Sequence, residues 1–341
     1  MIRRPARTLM AAIFGFLALA ALAARTAGRR APRKAGPLGA VPLQAAALAP
    51  AATIASAAGL VLAATAAWWL AALLAIPAVL LAVGQLPRRR PGTGGGELAS
   101  GPATATVSPS LATLRILTLN ALIGGADPAA TVAAVRRDHV DVLAVQELTP
   151  EMVGRLTDAG VLDLLPFVHS DPREGGAGTG LWSRHPLTPL PSVPGLRLAS
   201  PCARITLGGQ PVILRAVHPV APFQGRHRDW HRELSQLRAV LVATPGAQVV
   251  AGDFNASRDH RPFRDLLAAG FSDCADVAAQ RPWPGFTWPA NRWYPPVMRL
   301  DHILVSPGIT VTEARTVVVP GTDHRGVLAV LDLGALAAPA R

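Results

Sequence analysis

Gln248–Asn255 reads QVVAGDFN: an apolar run that stops at a glycine and then presents a carboxylate, an aromatic ring and an amide. A short β-branched run closed by glycine has the signature of a buried strand. We therefore read Gln248–Val250 as a strand running into Gly252-Asp253-Phe254-Asn255. Taken alone, Asp-Phe-Asn after a strand is equally at home as an Asx turn. What decides between the two is that the arrangement recurs along the chain. Leu114–Leu119 ends at Asn120, Val140–Val145 is followed by Gln146-Glu147, and Pro211–Val217 ends at His218. His302–Val305 begins right after Asp301, and Val327–Leu333 is entered from Asp323-His324. Between the first two strands, Asp127-Pro128 opens a helix, with Asp as N-cap and Pro at the first helical position.

Four of these six polar positions lie at C-terminal strand ends and two at N-terminal ends. If the last two strands run antiparallel to the others, all six meet on one edge of the sheets. Carboxylates, amides and imidazoles on one rim, above a packed core, suit a hard cation and a phosphoester. Mg²⁺ prefers oxygen ligands and keeps several waters, so one or two carboxylates hold it. The cation neutralises phosphoryl charge while a positioned base deprotonates the attacking water. Each residue also has a bland reading. Glu147 taken singly is a solvated strand cap, Asp323-His324 an exposed turn, and Asp301 a partner for a nearby backbone N–H. Their joint appearance in this order overrides those readings.

Taken together, Asn120, Gln146-Glu147, His218, Gly252-Asp253-Phe254-Asn255, Arg299-Leu300-Asp301-His302 and Thr322-Asp323-His324 resemble the endonuclease/exonuclease/phosphatase superfamily. The match covers Leu114–Leu333. It implies an α/β (α+β) sandwich of two packed mixed, mostly antiparallel sheets flanked by helices; the apolar runs of the first third add N-terminal transmembrane helices before it. It further implies a Mg²⁺-dependent hydrolase, with Mn²⁺ as an alternative ion. By the resemblance, Glu147 is the principal metal ligand, assisted by Asn120 and Asp323. Asp253 and Asn255 orient the attacking water and the phosphate. His324 is the catalytic imidazole, held in its tautomer by Asp301, and His218 hydrogen-bonds phosphate or protonates the leaving oxygen.

A narrower resemblance lies in NALIGGADP (120–128), VHPVAP (217–222), DFNASRDHRPF (253–263) and PGTDHRG (320–326). These segments are similar to membrane-anchored bacterial members related to the glycopeptide-resistance protein VanJ. That implies a lipid-linked phosphate substrate such as undecaprenyl pyrophosphate and a link to antibiotic resistance. Asp259-His260 is then either a pair special to this branch near the metal, or a helix cap followed by a solvated histidine.

Composition separates the chain into unequal parts. Residues 1–110 hold 11 basic side chains and one acid, whereas 111–341 hold 22 basic and 20 acidic. The net charge of +12 therefore sits almost wholly in the first third. A nearly neutral domain argues against strong nucleic-acid binding, which needs clustered Lys and Arg on one face. A membrane-tethered, DNase-like nuclease is the competing enzyme reading, with Arg226, Arg228 and Arg232 as its candidate groove. Two cysteines, Cys202 and Cys274, are too few for a disulfide framework or a zinc site. They either pair in an oxidising compartment or stay as small buried hydrophobes.

The first third reads as membrane-embedded. Leu9–Ala24 is an apolar run of sixteen residues behind three arginines, which also fits a signal peptide. Val41–Ala64 and Ala66–Leu86 are long enough to span ~30 Å of hydrocarbon. Trp68, Trp69 and the Arg88–Arg90 cluster flank the last of them as interfacial anchors. No charged residue occurs from Ala35 to Leu86, so a soluble amphipathic hairpin is disfavoured. We thus expect a membrane anchor of two to three helices at 1–90, a Gly/Pro/Ser-rich linker at 91–110 and a monomeric catalytic domain at 111–341. The positive-inside count places the domain in the cytoplasm. The resemblance implies the outer face of the cell membrane, and we follow it.

Overall fold

A computed structural model describes residues 113–334, apart from 224 and 279–284. The expected anchor and linker, and with them the facing of the domain, lie outside the described residues. Among the described residues no helix is long and apolar enough to cross a membrane.

Two six-stranded sheets form the centre of the domain. The first contains β1 (Thr113–Asn120), β2 (Val142–Gln146), β3 (Phe167–Asp171), β4 (Thr179–Ser183), β11 (Thr310–Val317) and β12 (Gly326–Asp332) in the order β11-β12-β1-β2-β4-β3. The second contains β5 (Thr188–Leu190), β6 (Cys202–Leu207), β7 (Gln210–Val217), β8 (Ala247–Asp253), β9 (Ser272–Asp273) and β10 (Asp301–Val305) in the order β5-β6-β7-β8-β10-β9. Among the described residues, β1–β2 and β7–β8 pair in parallel and the remaining strand pairings are antiparallel. As expected from the sequence, β10 and β12 run against β8 and β1. The register sets Asp301 opposite Asp253 and Asn120 beside Gln146.

The continuous apolar runs follow from burial on both faces. Leu114, Ile116, Val142 and Ala144 point between the sheets, where they meet Ala203, Leu214, Val249 and Ile303. Leu117, Leu119, Leu143 and Val145, one residue out of phase, pack outward against α1 (Pro128–Arg137) and α2 (Pro150–Asp158). On the far side Val217, Val250 and Leu304 pack beneath α3 (His227–Ala243) and α4 (Arg261–Ala268), through Trp230, Leu234, Leu237 and Phe263. The result is a helix–sheet–sheet–helix sandwich.

Local chemistry fixes the helix starts. The Asp127 carboxylate accepts from the Ala130 N–H at 2.8 Å and Pro128 sits in the first turn, as the sequence predicts. Thr149 caps α2 in the same way, accepting from Met152 N–H at 3.1 Å. The strand read as Gln248–Val250 continues through Gly252 to Asp253. Glycine is required there, because a Cβ would collide with the Val217 carbonyl of the adjacent strand. Cys202 and Cys274 are both buried and free, which selects the small-hydrophobe reading over a disulfide.

Candidate active site

The polar strand ends meet at one rim of the sandwich, on the floor of a cavity of about 550 Å³. Glu147, His218, Asp253, Asn255, Asp323 and His324 line it. Asn120, bonded to Glu147 and Asp253, and Asp301, bonded to His324, lie buried just behind. All eight residues expected from the sequence are therefore gathered in one place.

His324 is the pivot. Its Nδ1 lies 2.8 Å from Asp301 Oδ2, so the imidazole donates there and presents Nε2 to the cavity side. Nε2 stands 3.9 Å from Asp253 Oδ2 and 3.9 Å from Asp323 Oδ1. Burial works against a charged ring. Asp301, by charge and hydrogen bond, then Asp253 and Asp323, outweigh it and raise the pKa to about 10. The surrounding carboxylates thus favour the protonated ring at neutral pH. Asp253 is pushed the opposite way from an ordinary ion-paired carboxylate. Burial first, and then the negative charge of Asp301, raise it against the pull of His324 and His218. A carboxylate held more basic than usual is suited to taking a proton.

Asn120 links the two halves of the rim. Its Nδ2 donates to Glu147 Oε1 and to Asp253 Oδ2, each at 3.0 Å, while its Oδ1 accepts from Leu122 N–H at 2.9 Å. The other Glu147 oxygen accepts from Ile123 N–H at 2.8 Å. Four residues of the cavity wall hold left-handed backbone: Leu122 at φ 49°, Ile123 at φ 51°, Glu147 at φ 54° and Asn255 at φ 47°. Such a conformation costs a β-carbon-bearing residue about 1 kcal/mol or more. Gly176 closes over Glu147, where a Cβ would sit 3.3 Å from Oε2. Asn255 donates from Nδ2 to Pro219 O at 3.0 Å, tying the loop after β8 to the loop after β7. His218, 3.8 Å from Asp253 Oδ2 through Nε2, is buried on the same wall.

The donor set fits a hard divalent cation. It is rich in oxygen, and Oδ1 of both Asp301 and Asp323 is buried with no hydrogen-bond partner among the described residues. Asp253, Asp301 and His324 have ligand atoms within 4.8 Å of one another. In that trio the 2.8 Å bond to Asp301 fixes His324 Nδ1, and the surrounding carboxylates favour a proton on Nε2, so the imidazole serves as a donor. Glu147, Asn120 and Asp323 are the better cation ligands by chemistry.

Four residues have supporting roles that were not read from the sequence, although Thr322 belongs to a segment that carries the resemblance. Thr322 Oγ1 donates to Asn120 O at 2.7 Å and accepts from His324 N–H at 3.1 Å. Thr287 Oγ1 accepts from the N–H groups of Leu300 and Asp301. Trp288 Nε1 donates to Asp323 Oδ2 at 2.9 Å. Glu233, wholly buried on α3, accepts from Val220 N–H at 2.9 Å and Arg197 N–H at 3.2 Å, fixing the loop that carries His218. None is recoverable from spacing, because each partner is more than ten residues away or is a backbone atom. Of the pair singled out at 259–260, His260 lines the cavity and accepts at Nδ1 from Ser257 N–H at 2.8 Å. Asp259 is buried off the cavity wall.

Behind β10, His302 Nδ1 meets Asp273 Oδ2 at 2.7 Å and Nε2 meets Ala256 O at 2.8 Å. Arg299 reaches Asp273 at 3.8 Å and Asp276 at 2.7 Å. Burial would raise the Asp273 carboxyl, yet Arg299 and His302 hold it down at about 2. A depressed carboxylate stabilises the fold at pH values above its unfolded value and loses that stabilisation as pH falls. Between the ordinary value of 3.8 and about 2, the domain should lose roughly 2 kcal/mol from this group. Asp273→Asn should therefore lower Tm at neutral pH by several degrees and flatten the acid limb of the stability curve. Acid titrations of the two proteins followed by circular dichroism that superimpose would remove Asp273 from this role.

A two-sheet sandwich with an Asp–His pair and oxygen donors gathered at one sheet edge defines a class, the hydrolases of phosphoester bonds. The family model described as "Endonuclease/Exonuclease/phosphatase family" matches residues 117–324, and the chain belongs to that family. Its members hydrolyse phosphoester bonds and generally use a divalent metal. Solved structures share the fold at low identity. TDP2 of D. rerio, complexed with single-strand DNA product, is 20% identical with a TM-score of 0.53, over 64% of this chain and 99% of that one. A family protein of Leptotrichia buccalis is 16% identical with a TM-score of 0.50, again over 64% and 99%. Truncated TDP2 of Caenorhabditis elegans is 15% identical at 0.50, over 64% and 97%. No curated protein matches the sequence.

Proposed function

We propose that the domain uses a divalent cation, Mg²⁺ with Mn²⁺ as substitute, to hydrolyse a phosphoester or pyrophosphate bond of a lipid-linked substrate at a membrane surface. The observation that carries this reading is the His324 imidazole, clamped by Asp301 and facing Asp253, on the floor of a largely apolar cavity. Glu147, Asn120 and Asp323 would hold the cation, which when bound neutralises phosphoryl charge. Asp253, raised by burial, takes the proton of the attacking water, and Asn255 orients that water and the phosphate. His324 Nε2–H donates to a phosphoryl oxygen and offsets its developing charge. His218 Nε2 lies on the same wall, placed to donate to phosphate or to the leaving oxygen.

The walls support the lipid-linked substrate. Leu122, Ile123, Leu198, Val220, Pro222, Phe223, Met298 and Leu300 surround the polar floor. Apolar walls around a few convergent polar groups suit a ligand with an ionic head and a hydrocarbon body. The same resemblance that suggests such a substrate supports a reading with the domain on the outer face of the cell membrane and a role in glycopeptide resistance. A tethered nuclease is favoured by one feature only, the exposed Arg226 on the cavity wall. The deciding experiment assays the full chain with Mg²⁺ against undecaprenyl pyrophosphate, sphingomyelin, inositol phosphates and plasmid DNA. Release of phosphate from the polyprenyl substrate, abolished by a chelator, is the expected result. Turnover of plasmid DNA alone would replace this reading with the nuclease.

A further inference from the structure

The loop between Trp288 and Met298 has its stem in the active site and its tip in solvent. Trp288 and Met298 exchange backbone hydrogen bonds of 2.9 Å in each direction, and both side chains line the cavity. Ala290 N–H donates to Asp323 O at 2.7 Å, and the Trp288 ring donates to the Asp323 carboxylate. At the tip, Trp293 is 95% exposed and Tyr294 37% exposed, stacked edge-on with ring centres 5.4 Å apart. Arg292 and Asn291 beside them are also exposed. An exposed tryptophan–tyrosine pair beside an arginine, on a loop rooted in the site, offers a contact patch at the cavity's edge.

Two other loops around the same cavity repeat this chemistry. Phe223 is 48% exposed with the exposed Arg226 nearby, and Ile123 is 55% exposed. Trp, Tyr and Phe flanked by arginines are the side chains that settle at the boundary of hydrocarbon and headgroups, their rings in the apolar layer and their guanidinium groups on lipid phosphates. A flat protein docked on all three loops would seal the mouth of the site. A bilayer resting there would instead present its own phosphoesters to it. The chain upstream agrees with this placement. The last apolar run ends at Leu86, 27 residues before β1 begins at Thr113. If that run is embedded, the domain cannot stray more than about 90–100 Å from the bilayer.

We propose that the 289–297 loop is a membrane-contacting finger. Trp293 and Tyr294 enter the interface of an anionic bilayer and Arg292 meets its phosphates, with Ile123 and Phe223 completing the contact around the mouth of the active site. The finger holds the cavity against the surface in which a lipid-linked substrate lies, so the inference rests on the proposed function for its catalytic consequence and not for the contact itself.

The test uses the full chain reconstituted in vesicles containing phosphatidylglycerol. Cys202 and Cys274 are buried, so a cysteine introduced by Trp293→Cys takes an environment-sensitive fluorophore selectively. Val242→Cys is the control, 61% exposed near the end of α3 and followed by the entry of β8, at the sheet edge opposite the site. The label at 293 should shift its emission to the blue and be quenched by lipid-borne nitroxide, while the label at 242 stays in water. A label at 293 that remains aqueous, or burial of both labels alike, overturns the proposal. Trp293→Ser with Tyr294→Ser should slow hydrolysis of a vesicle-borne lipid substrate by about tenfold or more, leaving a short water-soluble phosphoester unaffected. Equal loss on both substrates also overturns it. Burial of the 293 label in a protein that hydrolyses nothing on the panel would count against the proposed function and leave the membrane contact standing.

Discussion

Replacing His324 by alanine is expected to lower cation-dependent phosphate release by about 10³-fold or more, with the domain still folded. The side chain stands between Asp301 and Asp253, and its Nε2–H is the cationic donor on the cavity floor. Alanine removes that donor. It also leaves Asp301 Oδ2, a wholly buried atom, without its partner. An orphaned buried acceptor costs roughly 1–3 kcal/mol, so Tm should fall by some degrees at neutral pH without loss of the cooperative transition. The pH dependence separates this from generic damage. A histidine raised from 6.5 to about 10 contributes stability that is complete below pH 6.5 and is lost as pH rises through 10. Wild type should therefore converge on His324→Ala in stability as pH climbs through that window. Asp301→Asn should reduce turnover in the same direction, because an amide cannot hold the imidazolium in the same way. Single-turnover rates and thermal melts measure both effects. Activity within tenfold of wild type would remove His324 from the chemistry.

How much of this was legible in the sequence follows from where each contact is made. Strands β1, β2, β7, β8, β10 and β12 are apolar runs with both faces buried, and each announces itself by a polar residue at one end. Those ends carry Asn120, Glu147, His218, Asp253, Asp301 and the turn at Asp323-His324. The remaining strands lack that signal. β3 is largely exposed, β5 and β9 have three and two residues, and β11 is half exposed with a register shift at Val311–Glu313. Their extended conformation comes from tertiary pairing and not from their own residues. The same division runs through the site. The groups that do the chemistry are read because they interrupt apolar runs. The groups that orient them escape notice because a threonine or tryptophan reveals its role only once a partner far along the chain is in place, as Thr322 does with Asn120 and Trp288 with Asp323. The left-handed backbone at Glu147 was equally silent, since no glycine or turn dipeptide marks it.

That backbone makes Glu147 the sharpest test of the cation site. Glu147→Gln keeps shape and length but removes the charge that a hard cation seeks. Phosphate release should fall by about 10²–10³-fold, and the concentration of Mn²⁺ needed for half-maximal signal in a direct binding titration should rise. The loss must not be a folding defect, and the backbone supplies the control. At φ 54° the position is strained for any residue with a Cβ, so Glu147→Gly should relieve strain while deleting the carboxylate altogether. Its Oε1 and Oε2 acceptors serve Asn120 and Ile123, and glycine forfeits both bonds. Because Glu147 is only half-buried, water can replace them, and the net change in Tm should be small in either direction. Turnover in Glu147→Gly should nevertheless be at least as low as in Glu147→Gln. A glycine variant that is as stable as wild type and equally inactive assigns Glu147 to the cation. One that keeps its Mn²⁺ affinity would move the cation onto Asp253, where it would compete with His324 for the same oxygens.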